Sequence, residues 1–172
     1  MNPVTHASIN TAHHYPFMKN ISSLDADIQT GSIAKRKEAA AALGKSGNPA
    51  AIPLLSNALS DPHPAVRCGI VQALGRLADS SAVPALIRAL EDTEPEIRAA
   101  SLAALGKIKD PESSPSVITL LKDREMIVRI GAATVLGRLG DRRAVEPLKG
   151  LLTDPFSDVR EAAQTALLRL GK

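Results

Sequence analysis

The chain of 172 residues is poor in aromatic side chains. Tyr15, Phe17 and Phe156 are the only ones, 2% of the sequence, and tryptophan is absent. A core without aromatics must be assembled from many small aliphatic contacts. That argues against a β-sandwich, whose strands favour β-branched and aromatic residues. Cysteine is nearly absent too. The single Cys68 excludes an intramolecular disulfide framework and a multi-cysteine zinc site. It agrees with a reducing compartment, and a cytoplasmic location is expected. No apolar run approaches the roughly 18 residues of a membrane span. The N-terminus lacks the charged and apolar regions of a secretory signal, so none is expected. A strong excess of one charge is also missing. With 21 basic and 18 acidic residues the formal charge is +3, too small alone to indicate nucleic acid.

What the chain has in abundance is alanine and leucine, 27 and 21 residues. These are the best apolar helix formers, and they point to an all-α fold. They also recur in register. Arg36, Arg67, Arg98, Arg129 and Arg160 are spaced by 31 residues, as are Leu43, Leu74, Leu105, Leu136 and Leu167. Gly44, Gly75, Gly106 and Gly137 follow the leucines, until Leu168 breaks the series. Asp61, Asp92, Asp123 and Asp154 keep the same period, with Thr30 in the first position. Asn48, Asp79, Asp110 and Asp141 form one more column. Such self-similarity is the mark of a repeat architecture.

Each unit reads as two helices. Asn48, Asp79, Asp110 and Asp141 stand where an N-cap of the first helix belongs. Pro53, Pro84 and Pro115 fall early in it, where a missing N–H is tolerated. First helices are expected over segments such as Ala82–Glu91 and Ala144–Thr153, and second helices over Pro64–Leu77 and Pro95–Ile108. In the second helix of the second unit, Val66, Ile70, Ala73, Leu74 and Leu77 share one face and should form the core. Gly47 and Gly140 suit left-handed C-caps, with Ala78 and Lys109 in the same column. The units fall at about 20–47, 48–78, 79–109, 110–140 and 141–172, within a repeat domain of residues 19–172. Helix pairs of this size bury their apolar faces only by stacking. The expected fold is therefore an α-solenoid of five pairs with a 31-residue period. Residues 1–18, without Asp, Glu or Arg, form a flexible tail or a cap. Tyr15, Phe17 and Met18 can cover the first pair, or "HHYPFM" can serve as a partner-binding tail. At the other end Leu167, Leu168 and Leu170 lie close together, which allows either end-to-end dimerisation or a fraying monomer.

The pattern "DPHPAVRCGIVQALGRLADSSAVPALIRALED", repeated with variants, resembles a HEAT repeat. It is most similar to the short, regular HEAT-like repeats of phycobilisome lyases and many prokaryotic proteins. The resemblance implies an armadillo-like α/α superhelix whose second helices line the concave surface, and a role as a binding scaffold. It also brings an alternative: an accessory lyase-type factor for attaching bilins to phycobiliproteins.

Two sets of residues are candidates for function. The first comprises Arg36, Arg67, Arg98, Arg129 and Arg160 with Asp61, Asp92, Asp123 and Asp154. It reads as a structural ladder: the aspartate caps the second helix, and the arginine reaches an aspartate of its own or a neighbouring unit. The second is the stripe facing away from the core. It holds Lys45, Cys68, Gln72, Arg76, Ala99, Ala103, Lys107, Ile130, Thr134, Arg138 and Arg169. Lys45, Arg76, Lys107, Arg138 and Arg169 make it basic along one edge, and Ala99, Ala103 and Ile130 offer a shallow apolar floor. The cations also sit in the last helical turn, where they meet the negative end of the macrodipole. An acidic or amphipathic segment of another protein fits this stripe. Nucleic acid is disfavoured, because no aromatic is available for base stacking. No catalytic constellation, metal set or cofactor pocket stands out. His6, His13 and His14 lie in the tail, His63 lies in a turn, and no histidine accompanies Cys68 at a recognisable spacing.

Overall fold

The computed structural model describes residues 21–171, as ten α-helices with no strand among them. They are α1 (Ile21–Thr30), α2 (Ile33–Lys45), α3 (Ile52–Asn57), α4 (Pro64–Leu77), α5 (Val83–Ala89), α6 (Pro95–Ile108), α7 (Ser114–Thr119), α8 (Met126–Leu139), α9 (Val145–Gly150) and α10 (Ser157–Arg169). Odd and even helices alternate as the first and second members of five pairs, an all-α solenoid. None is long and apolar enough to cross a membrane. The expected tail or cap over residues 1–18 lies outside the described residues.

The first helices from α3 onward are shorter than the periodicity predicts. Asn48, Asp79, Asp110 and Asp141 do cap, each accepting from the N–H two residues on at 2.9–3.0 Å. The element they open is a 3-10 turn, and the α-helix starts only after it. Pro53, Pro84 and Pro115 then sit within the first two helical positions, where they cost no hydrogen bond. A second 3-10 turn ends α3, α7 and α9. The tighter winding brings each chain to its aspartate in few residues.

Second helices end as the glycine column leads one to expect, with a difference. Gly47 and Gly140 adopt φ of 64° and 73°, but Ala78 and Lys109 are also left-handed, at 50° and 58°. Those two residues accept a conformation that disfavours a Cβ.

One continuous core runs through the described residues. Val66, Ile70, Ala73 and Leu74 are buried, and Leu77 is half-buried. A further column is buried that reading each pair in isolation does not reveal: Ala40, Val71, Leu102 and Ala133. Of these, Leu102 lies against the next second helix. An ideal Cβ on Gly131 would stand 3.1 Å from Cδ1 of Leu102. Consecutive second helices pack along much of their length, whereas consecutive first helices barely meet. The stacking is carried by the second helices, whose outward stripe lies on the side expected to be concave, the inner surface.

The glycine column explains how close that packing is. A Cβ on Gly44, Gly75 or Gly137 would come within 2.7–2.8 Å of Ala73, Ala104 or Ala166, and on Gly106 within 3.1 Å of Val135. At Gly44, Gly75 and Gly137 an added Cβ would force the neighbouring helix to shift, and at Gly106 the Val135 side chain would have to give by a few tenths of an ångström.

Candidate functional site

The Arg and Asp columns form inter-unit rungs. Arg36 pairs with Asp61, Arg67 with Asp92, Arg98 with Asp123 and Arg129 with Asp154, at 2.6–3.1 Å through both Nε and Nη2. Each is a bidentate fork. The carboxylate always belongs to the following unit, never to the arginine's own. The remaining nitrogen, Nη1, donates to a backbone carbonyl of the arginine's own unit: Gly31 for Arg36, then Asp61, Asp92 and Asp123. One guanidinium thus ties two units.

The aspartates do not cap the second helices, contrary to expectation. Each accepts from the N–H two residues on, that of His63, Glu94, Glu125 or Phe156. Those four residues hold the N-cap position themselves. The aspartate closes the turn before the helix and faces its arginine. Burial pushes the carboxyls of Asp61, Asp92 and Asp123 up. Bonds from the guanidinium and the backbone N–H outweigh that and hold them below the usual carboxylate range. In Asp154 the Arg129 bond leads and the result is the same. Outside the ladder, Arg143 bonds hold Asp141 at about 2.

Arg160 is different. Its Nη1 donates to the carbonyls of Asp154 and Pro155 at 2.7 and 3.1 Å. Its Nε and Nη2 face no carboxylate among the described residues, so the expected five-arginine ladder has four rungs.

The inner surface carries the predicted stripe. Lys45, Arg76, Lys107, Arg138 and Arg169 are all exposed and all lie in the last turn of a second helix. They define one edge. Arg138 leans toward the preceding helix, its Nη1 3.6 Å from where a Cβ of Gly106 would stand. The floor consists of half-buried Cys68, Ala99, Ile130 and Thr134 with exposed Gln72 and Ala103. Gln72 Nε2 donates to Cys68 Sγ at 3.6 Å.

Three residues of this surface escape the three-column reading. Ile127, 54% exposed, stands one turn before Ile130 and enlarges the apolar floor. Glu96 and Asp158 occupy the same position in their units and are exposed. The signal was available, since two residues before each arginine is also on the outward face of the helix. Between the last two second helices a hollow of about 250 Å³ is lined by Thr134, Asp158, Glu161, Thr165 and Arg169. The stripe is thus basic along one edge and partly acidic along the opposite one. Among the described residues no His, Cys, Asp and Glu side chains gather as a metal site.

Comparison with known proteins places this architecture. The chain is similar to a chain in the complex of CpcE and CpcF of phycocyanin lyase from Nostoc sp. PCC7120, at 25% identity and a TM-score of 0.76, over 98% of this chain and 70% of that one. It resembles an engineered protein at 22% identity and a TM-score of 0.64, over 89% and 80% of the two chains. It also resembles a designed armadillo repeat protein in complex with the peptide (KR)4, at 18% identity and a TM-score of 0.65, over 87% and 81%. No curated protein matches the sequence. The family pattern of HEAT repeats matches residues 25–101 and 83–168. With rungs, glycine contacts and paired helices repeating across that span, the chain belongs to the HEAT-repeat family.

Proposed function

We propose that this chain is a non-enzymatic interaction scaffold that holds an acidic or amphipathic segment of another protein on its inner surface. The observation that carries the reading is the basic edge of that surface. Lys45, Arg76, Lys107, Arg138 and Arg169 are exposed on a single edge, beside an apolar floor that includes Ile127 and Ile130. A partner segment would set carboxylates along the basic edge and small apolar side chains on the floor. The edge steers the encounter, and the floor excludes water from the contact. The rungs hold the geometry and stay out of the contact. The reading places the protein in the cytoplasm, as a monomer or an end-to-end dimer, without a cofactor.

The test is a pull-down comparing the wild type with Arg76→Glu/Lys107→Glu/Arg138→Glu. Partner recovery should fall at least about tenfold while the helical circular dichroism is kept, as reversed rim charges slow association. Undiminished recovery by the folded variant overturns the reading.

The likeness to the phycocyanin lyase complex favours one second reading, an accessory factor for bilin attachment to phycobiliproteins. It is tested by co-expression with a phycobiliprotein and its bilin. Visible absorbance of the phycobiliprotein that depends on this chain supports it, and absorbance independent of this chain removes it.

A further inference from the structure

Neighbouring second helices run parallel. Gly131 of α8 faces Leu102 of α6, and further along Val135 of α8 faces Gly106 of α6. Both contacts advance in the same sense along the two helices, as only parallel neighbours allow. Helix dipoles favour acids in the first turn and cations in the last, and parallel helices gather those charges into two edges. Glu96 and Asp158 stand in the first turns of α6 and α10, and Lys107, Arg138 and Arg169 in the last turns of α6, α8 and α10. Glu96 and Lys107, like Asp158 and Arg169, are 11 residues apart, about 16 Å along a helix. That exceeds the screening length of about 8 Å in physiological salt, so the two edges barely neutralise each other. None of these charges is in an ion pair among the described residues.

An apolar recess lies between the acids. Ile127, 54% exposed, holds in α8 the position that Glu96 and Asp158 hold in α6 and α10. Half-buried Ile130 follows one turn on. Glu161 is exposed and lines the same hollow as Asp158. Over α6, α8 and α10 this edge therefore runs acid, apolar, acid, while the opposite edge is basic throughout. The pattern is confined to these units. In α2 the column of Glu161 is filled by Lys37, which reverses the sign. On the reading that the inner surface is the partner site, we propose that α6, α8 and α10 together hold one three-striped helix of another protein. Its apolar stripe would sit on Ile127 and Ile130. Its acidic flank would face Lys107, Arg138 and Arg169, and two basic residues on the other flank would face Glu96 and Asp158.

Charge and dimensions choose this occupant. A wholly acidic segment would set carboxylates against Glu96 and Asp158, and like charges in contact disfavour it. A nucleic-acid backbone meets the same obstacle with its phosphates. Packed helices lie 8–10 Å apart, so Glu96 and Asp158, two helices apart, are separated by about 16–20 Å. Residues about eleven positions apart on an α-helix lie about 16 Å apart along its axis and nearly on one face. Two lysines at that spacing reach both acids from one flank. A helix is about 10–12 Å across with its side chains, and it fits between edges whose backbones stand about 16 Å apart.

The test uses the full chain and a displayed library of helical peptides of about 18 residues, or five turns. Leu and Val are fixed along one stripe, and both flanks are randomised among Asp, Glu, Lys and Gln. Peptides selected on the wild type should be acidic on one flank and carry two Lys about eleven positions apart on the other. Changing those two Lys to Gln should weaken binding about three- to tenfold. Ile127→Asp should weaken it at least about tenfold. Selection on Glu96→Lys/Asp158→Lys/Glu161→Lys should return peptides acidic on both flanks. These positions are exposed, and thermal melting confirms that each variant folds. Peptides that lose binding to Arg76→Glu/Lys107→Glu/Arg138→Glu but are indifferent to the second flank overturn this inference and leave the scaffold reading standing. Peptides indifferent to both edges overturn both. A selection that enriches nothing overturns this inference alone, and the pull-down still decides the scaffold reading. A dimer of the protein alone that Ile127→Asp dissolves also overturns it, because the occupant would then be a second copy.

Discussion

Arg98 and Arg160 are the same residue at the same place in two units. Each sends Nη1 to the carbonyl six residues earlier, at 2.9 and 2.7 Å. They differ in what comes next. Arg98 meets Asp123 of the following unit at 2.8 Å through both remaining nitrogens, and Arg160 meets no aspartate among the described residues. The difference separates two jobs of one side chain. Holding the turn of its own unit is local and survives at the end of the array. Locking two units together needs a successor, so the ladder is a property of the stack and not of the repeat.

The sharpest way to break this comparison is to truncate both. Arg98 and Asp123 are each 8% exposed in their side chains. Removing one partner strands the other, so Arg98→Ala should lose about 3–5 kcal/mol. Arg160 is exposed and has no carboxylate among the described residues to strand, and Arg160→Ala should lose less than about 1 kcal/mol. Urea denaturation of the two variants checks it, and equal losses would mean that the carbonyl bonds, not the rungs, carry the energy. Acid offers a second view. The carboxyls of Asp61, Asp92, Asp123 and Asp154 are held low in the folded chain. Their contribution is complete above the unfolded aspartate value of about 4 and is lost as the pH falls through the lower folded values. Wild-type stability should drop between pH 6 and pH 3. The double variant Arg98→Ala/Asp123→Ala, lacking a rung, should drop by less over the same interval.

Leucine truncation sharpens the comparison in the core. Leu105 has no exposed surface, and Leu167, at the open end, keeps 7%. Leu105→Ala should cost about 2–5 kcal/mol and Leu167→Ala should fall at or below the low end of that range, because the open end relaxes around a cavity more easily. Glycines in α4 make a matched pair of smaller size. A Cβ on Gly75 would stand 2.8 Å from that of Ala104, while one on Gly69 has nothing within 4 Å. Gly75→Ala should destabilise by about 1–3 kcal/mol through overpacking. Gly69→Ala should stabilise by about 0.5–1 kcal/mol, the helix-interior cost of glycine. Melting temperatures that move in the same direction would show that the second helices are not spaced by the glycine column.

Much of this architecture was legible in the sequence because it repeats. The Arg, Asp and Leu columns are each a local requirement met again in every unit, and so are the exposed cations at the helix ends. What stayed hidden depends on relations between units. Val71 and Leu102 fall outside the face read as the core yet are buried, and Leu102 lies against Gly131 of the next second helix. The partner of each arginine was open between two units, since spacing along the chain does not say which way a side chain reaches. The aspartates looked like helix caps because they stand just before the helices. The structure gives that position to His63, Glu94, Glu125 and Phe156, and the aspartates close the preceding turn. Ile127 was hidden for a simpler reason: its outward position is filled by Ala65, Glu96 and Asp158 elsewhere, so no common chemistry marks the column.

The smallest effect lies at the junctions, where otherwise equivalent units part ways. Gly140 turns the chain after α8 at φ 73°, and Ala78 makes the corresponding turn after α4 at φ 50°. A Cβ in the left-handed region costs about 1–2 kcal/mol, and glycine gives part of that back through its freer unfolded state. Ala78→Gly should therefore stabilise by about 0.5–1 kcal/mol, and Lys109→Gly, at φ 58°, by a similar amount. Gly140→Ala should do the reverse. Chemical denaturation of the three variants checks the set. A loss of stability in Ala78→Gly would mean that this junction is held by contacts of the alanine methyl group, and that the units are less alike at their turns than their dihedral angles make them.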